Sequence, residues 1–232
     1  MRGSTRALTV VGDLLMTAGA VVLLFVVYQL WWTNVAAAQA RSSAISDLRS
    51  SWASPTAPDY GVPVPSASAS AAPSASPTPS PAVRPPKGTP LALIRIPRLG
   101  KDWAQPIVEG VDAEQLHEGI GHYVGTALPG GRGNLALAGH RATNGEPFRN
   151  LDRMRPGDTV VVITRDTTYT YVVDKPWFLV QPTAVEVIAP VPGKPGAHAT
   201  ERKMTLTTCN PRWASTQRLI VDLTLRSAVK RG

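Results

Sequence analysis

A run of apolar residues from Leu8 to Tyr28, interrupted by one charge at Asp13, constrains this 232-residue chain more than any other feature. A helix rises about 1.5 Å per residue, so a run of this length crosses the ~30 Å hydrocarbon core of a bilayer. Arg2 and Arg6 precede it with no acid nearby, and Trp31-Trp32 follow it. Basic residues favour the cytoplasmic side and tryptophans favour the interface, so the pattern predicts a cytoplasmic N-terminus and an exported remainder. Asp13 falls near the arginine end, where a carboxylate can reach the headgroups. Ala36 to Ala40 offers small residues of the kind a signal peptidase cuts. Signal h-regions run only about 7–15 residues, however, so a retained anchor is favoured over a cleaved signal. The expected organisation begins with a basic cytoplasmic tail over residues 1–7 and a transmembrane anchor over 8–32.

Export changes what the rest of the composition means. The sole cysteine, Cys209, excludes any intramolecular disulfide and leaves an unpaired thiol in an oxidising compartment, which marks it as a candidate for chemistry. The net charge of +8 favours anionic surfaces such as lipid headgroups or acidic wall polymers. No zinc-ligand spacing, aromatic–basic RNA motif or DNA-reading helix accompanies it. Residues 33–90 read as a stalk and linker: a helical or loose segment to Trp52, then Pro, Ser and Ala with almost no large apolar side chains. Such a segment buries too little surface to offset its ordering entropy, so a disordered tether is expected.

A globular domain is expected over 91–226, followed by a basic tail at 227–232. Leu91 to Pro97, Asn134 to Ala138, Thr159 to Thr164, Tyr169 to Val173, Lys203 to Thr208 and Leu219 to Thr224 alternate as strands do. Helical signals are brief: Asp112 before Ala113 to His117, and Pro147 opening a turn that ends near Met154. Many short strands with Gly and Pro between them indicate a mainly β fold, a closed barrel or a sandwich.

Three strand edges carry residues able to do chemistry. His140 follows Gly139 at the end of one strand and can move a proton near neutral pH. Cys209 ends another, before an Asn210-Pro211 turn, where a nucleophile is exposed to attack. Arg218 opens the next strand and can donate hydrogen bonds to an oxygen that gains negative charge. Singly, each residue has an ordinary explanation: a loop histidine, a buried thiol, a solvated arginine. Together they supply an acid–base group, a nucleophile and an oxyanion stabiliser.

Leu137-Ala138-Gly139-His140-Arg141, then Leu206-Thr207-Thr208-Cys209-Asn210-Pro211, then Arg218-Leu219-Ile220-Val221 resembles the signature of the sortase family, in the same order. The resemblance extends from Leu91 onward. Gly121-His122-Tyr123 through Pro129-Gly130, with the N-terminal anchor, is most similar to the class E sortases of actinobacteria. It implies a closed eight-stranded β-barrel with short helices, and a cysteine transpeptidase with His140, Cys209 and Arg218 as catalytic residues. The implied substrates are secreted proteins with a C-terminal Leu-Ala-X-Thr-Gly or Leu-Pro-X-Thr-Gly motif. The implied acceptor is an amine of a peptidoglycan precursor. Tyr123 resembles a tyrosine associated with the choice between Ala and Pro, and Thr208 is a second candidate substrate contact. No cofactor and no metal are expected, His117, His122 and His198 are expected to be structural or surface residues, and the enzyme is expected to be a monomer. The alternatives are a pilin-polymerising sortase, an exported cysteine peptidase that prefers water, and a non-catalytic, anchored, basic wall-binding module. The last leaves the placement of Cys209 unexplained.

Overall fold

The computed structural model describes residues 2–54, 58–64 and 84–231; the middle of the expected linker, 65–83, lies outside the described residues. Its first element is a continuous helix, α1 (Arg2–Trp52). Val10–Gln29 is long and apolar enough to cross a membrane and has no part buried by the rest of the protein. Beyond it the helix changes character. Ala37, Ala44 and Leu48 recur at near-heptad spacing and are buried, with Leu48 only 2% exposed.

The barrel is built from β1 (Pro90–Arg95), β2 (Ala104–Glu109), β3 (Ile120–His122), β4 (Gly133–Ala138), β5 (Thr159–Ile163), β6 (Thr167–Val173), β8 (Arg202–Asn210) and β9 (Gln217–Lys230). Strand order is β6–β5–β1–β2–β3–β4–β8–β9, and β6 pairs with β9 to close the ring. Eight strands therefore form the closed barrel. A ninth, β7 (Phe178–Val180), extends β6's edge of β9 alongside Arg218–Ile220. Two pairings are parallel: β2 with β3, joined through the short helix α2 (Ala113–Glu118), and β4 with β8.

The alternating strands bury one side each. Leu135 and Leu137 of β4, Met204 and Leu206 of β8, and Leu219, Val221 and Leu223 of β9 meet Ile94, Ile107, Val160 and Tyr171 inside the ring. Asp112 precedes α2 but makes no side-chain cap; it pairs with Lys87 instead. The turn opened by Pro147 closes as one 3-10 turn at Leu151–Arg153.

The expected tether is partly docked. Val62 N–H donates to the Pro129 carbonyl (2.8 Å) and the Tyr169 hydroxyl donates to the Val62 carbonyl (2.9 Å). Gly130 makes this possible: its φ is +77°, and a Cβ there would lie 2.2 Å from the Tyr169 ring. On the other flank, Gly88 N–H donates to the Glu109 carbonyl (2.8 Å). The C-terminal part of α1 packs against α2, β1 and β2. At Gly145 it approaches the loop after His140, where a Cβ would sit 3.4 Å from Arg41 Nη1 and 3.7 Å from Ala37 Cβ.

Burying Leu48 is the main apolar contribution of this contact. Leu48→Glu should cost about 2–4 kcal/mol of helix docking. Hydrogen exchange in micelles should then lose protection over residues 35–52 while the strands keep theirs.

Candidate active site

Strand alternation decides where the three sequence candidates point. Leu135 and Leu137, Met204 and Leu206, and Leu219 and Val221 face the core, so Ala136 and Ala138, Thr205, Thr207 and Cys209, and Arg218 and Ile220 face outward. The register then sets how close they come. Ala138 stands opposite Thr207 in the parallel β4–β8 pair, and Cys209 stands opposite Arg218 in the antiparallel β8–β9 pair. Pairing continues past the end of β4, since Gly139 N–H donates to the Thr207 carbonyl at 3.1 Å. His140, Cys209 and Arg218 thus project from adjacent strand ends about 4.8 Å apart. The structure brings them together on one outer face at one rim.

Gly139 is required by packing at the end of β4. A Cβ there would lie 2.7 Å from the Phe148 ring and 2.8 Å from Ile120 Cδ1. Absence of a side chain lets β4 end against the packed core, with His140 on the opposite side.

Each group is held differently. His140 is half-buried, and its Nε2 is buried with no hydrogen-bond partner. Burial, and secondarily the charge of His117, holds this imidazole below its ordinary range, because both disfavour imidazolium. Arg218 donates from Nη1 to the carbonyls of Ser215 (3.0 Å) and Gln217 (3.1 Å). This anchors the guanidinium at the β8–β9 loop, and among the described residues its Nε and Nη2 make no hydrogen bond. Cys209 is a free, half-buried thiol, hydrogen-bonded to neither partner in this structure.

The sequence reading gave Arg141 no role of its own. It is buried, bonds Asn210 Oδ1 and the Cys209 carbonyl (3.5 Å), and approaches Asp152 at 3.4 Å. One guanidinium therefore joins the ends of β4 and β8 to the 151–153 turn. The signal available was a charged residue directly after a core strand, since charges in such places are retained where they are paired. Arg212 makes a related link, pairing with Glu146 at 2.8 Å to join the 211–216 and 143–150 loops beside the site.

Tyr123 and Thr208 part company. The Tyr123 hydroxyl lies 3.2 Å from Thr207 Oγ1, so its ring crosses the outer face of β4 toward the strand that carries Cys209. Thr208 faces the other side of β8. It is buried and donates to the Gly139 carbonyl at 2.7 Å, fastening β8 to the residue before His140. The outer face here carries Ala136, Ala138, Thr205, Thr207 and Ile220, all of them buried. The 181–201 connection crosses it, with the Val187 carbonyl accepting from Asn134 Nδ2 (3.2 Å) and Thr205 Oγ1 (3.4 Å). Trp213, 82% exposed, stands in the loop that joins Cys209 to Arg218.

His117 sits beside Asn144 at 3.3 Å, His122 is buried against Glu109, and His198 is exposed. Among the described residues, no three His, Cys, Asp or Glu side chains cluster in a way that could hold a metal ion.

Comparison with known proteins gives a consistent picture. The family profile of the sortase domain matches residues 94–226. Sortase SrtE1 of Streptomyces coelicolor is 38% identical over 218 residues, covering 91% of this chain and 55% of that protein. Sortase SrtE2 of the same organism is 32% identical over 230 residues, covering 95% of this chain and 82% of that protein. The solved structure of sortase E from Streptomyces avermitilis is 46% identical, with a TM-score of 0.57 over 62% of this chain and 92% of that one.

The environment of His140 predicts its titration. Followed by NMR, its midpoint should fall below that of an unperturbed imidazole, because burial penalises the charged form. His117→Gln removes a neighbouring positive charge and should move that midpoint to higher pH.

Proposed function

The chain belongs to the sortase family, and on that footing we propose that it is a membrane-anchored cysteine transpeptidase with Cys209, His140 and Arg218 as its catalytic residues. The observation that supports this reading is the strand register, in which Cys209 stands opposite Arg218 and Thr207 opposite Ala138, two residues before His140.

The chemistry follows from what each group can do. The Cys209 thiolate attacks the Thr carbonyl carbon of the Thr–Gly bond in a C-terminal sorting motif, and the carbonyl oxygen becomes an oxyanion. Free N–H groups of Arg218 donate to that oxygen, while the Ser215 and Gln217 carbonyls hold the guanidinium from behind. Collapse breaks the C–N bond, and imidazolium at His140 gives its proton to the departing glycine amine. A thioacyl enzyme remains. An incoming amine attacks the thioester carbon, His140 takes the amine proton, and the C–S bond breaks to restore the thiolate. Burial disfavours imidazolium at His140, so a protonated ring there gives its proton readily to the departing amine.

The Leu-Ala-X-Thr-Gly or Leu-Pro-X-Thr-Gly motif is the substrate class. The acceptor is an amine of a peptidoglycan precursor. The apolar Val10–Gln29 segment anchors the chain in the membrane. Arg2 and Arg6 place the N-terminus in the cytoplasm and the barrel outside.

The test is acyl transfer from a sorting peptide to a glycyl amine. Wild type should form the amide and a thioacyl adduct on Cys209, and Cys209→Ala should form neither. His140→Ala and Arg218→Ala should lose about 10²–10⁴-fold in kcat/KM. Arg218→Lys should fail to rescue, because an ammonium cannot donate from the same planar fork. Transfer by Cys209→Ala would overturn the proposal, and hydrolysis that ignores the added glycyl amine would make the protein a cysteine peptidase.

A further inference from the structure

Beneath the turn that carries Tyr123 lies a buried ionisable pair with no part in the acyl-transfer steps above. Glu109 ends β2 and His122 ends β3, and the two are register partners across the parallel pair. Their side chains are 4% and 1% exposed, and His122 Nδ1 lies 2.5 Å from Glu109 Oε2. On the other side of the ring, Nε2 lies 2.8 Å from Thr126 Oγ1 and 3.1 Å from the Ala127 carbonyl.

Hydrogen-bond accounting fixes one proton. Thr126 Oγ1 donates its own hydrogen to the Tyr123 carbonyl at 2.7 Å, so it can only accept from His122. Nε2 therefore carries a hydrogen that it shares between Thr126 and Ala127. A second proton lies between Nδ1 and the Glu109 carboxylate. His122 is consequently gripped at both ring nitrogens, by β2 on one side and by the turn on the other.

That turn is the one that presents Tyr123. Thr126 N–H donates to the Tyr123 carbonyl at 3.0 Å and Gly125 has φ +87°, the pattern of a type II turn over Tyr123–Thr126. Ala127 N–H donates to the Asn134 carbonyl at 3.0 Å, tying the returning chain to β4. Adjacent residues of an extended chain face opposite sides, so His122 points into the barrel end and Tyr123 over the outer face, its hydroxyl beside Thr207. A cavity of about 300 Å³, lined in part by Val62, Arg84, Glu109, His122 and Leu128, lies under the turn. Packing alone does not hold the turn up. Desolvating two ionisable groups is costly, and an apolar pair would fill the barrel end without that penalty but would not orient the turn.

We propose that Glu109 and His122 form a positioning pair. By holding the Tyr123–Thr126 turn, they keep the Tyr123 hydroxyl beside Thr207 and so set the affinity for the sorting peptide, while the bond-making steps are left to His140, Cys209 and Arg218. The kinetic part rests on the transpeptidase reading; the placement of Tyr123 does not.

The experiment uses the full-length protein in micelles. His122→Phe should raise the KM for a sorting peptide about tenfold or more and leave kcat within about threefold. Glu109→Leu should do the same. Glu109→Gln, whose amide can donate to Nδ1, should restore most of the affinity. Tyr123→Ala should raise KM by a similar factor, and the double variant with His122→Phe should show no further loss, because one acts through the other. Multiplying losses, or a fall in kcat with unchanged KM, would overturn the proposal. The ring resonances of Tyr123, assigned with Tyr123→Phe, give a readout that needs no turnover: His122→Phe should shift them in the substrate-free protein. If wild type transfers nothing, the transpeptidase reading fails, and this shift alone decides the positioning pair. Unchanged resonances would overturn it.

Discussion

The parallel pairing of β4 with β8 is the constraint from which the site follows. The strands lie far apart in sequence, yet they run side by side in the same direction from Gly133 opposite Arg202 to Ala138 opposite Thr207. Their C-terminal ends therefore reach the same rim, and the residues two positions beyond Ala138 and Thr207 are His140 and Cys209. Were β8 reversed, the two would sit at opposite ends of the pair, about 15–20 Å apart at ~3.3 Å per residue. The chain then turns back through a short loop, and β9 opens with Arg218 opposite Cys209. Two choices of strand direction thus decide that nucleophile, proton carrier and cation can meet.

Alternation then separates stability from chemistry on the same strands. The inner face of β4 and β8 carries Leu135, Leu137, Met204 and Leu206, all essentially inaccessible to solvent. The outer face carries mostly small or polar residues and is covered in turn by the 181–201 connection, whose Val187 carbonyl accepts from Asn134 and Thr205. At the rim the site keeps an unfavourable feature: His140 Nε2 is buried without a partner. An unsatisfied buried group costs about 1–3 kcal/mol. Around it the site is over-determined, with Arg141 bonded to Asn210 and Cys209, Thr208 bonded to Gly139, and Arg212 paired with Glu146. These contacts hold the strand ends in place while the reactive nitrogen is left open.

Much of the barrel was legible because β-branched and aromatic residues alternate in β5, β6, β8 and β9. The strands that escaped the sequence have local reasons to hide. β2 contains Pro106, which demotes a strand on sight, β3 is three residues with a glycine at its centre, and β7 is equally short. The parallel run of β8 beside β4 was not legible, since it is settled by closing the ring. The convergence of His140, Cys209 and Arg218 was accordingly read from a resemblance in motif order, and register supplies its physical cause. Thr208 could have been read better. Being next to Cys209 in sequence puts it on the opposite face of the strand, and a period of two applied to β8 gives that directly. Glu109 and Arg141 belong to another class. Each is a charge at the end of a core strand, and the sequence signals that a partner must exist without saying which one.

The relation between anchor and barrel turns on a similar difference between local composition and tertiary contact. Pro, Ser and Ala predict a spacer, because they bury little, and by composition residues 54–90 should set the distance from the membrane. In the structure, Val62 is hydrogen-bonded to Pro129 and Tyr169 before residue 65, and Gly88 is bonded to Glu109 after residue 83. Both flanks of 65–83 are thus held on the barrel, and α1 is the element that links the apolar segment to it. Beyond Gln29 that helix continues to Trp52, about 35 Å at ~1.5 Å per residue, with Ala44 and Leu48 packed against the domain and Trp52 under the Arg231 guanidinium at 5.1 Å. A helix of that length is stiff where a Pro/Ser/Ala chain is not. At its near end, α1 abuts the very loop, at Gly145, that follows His140.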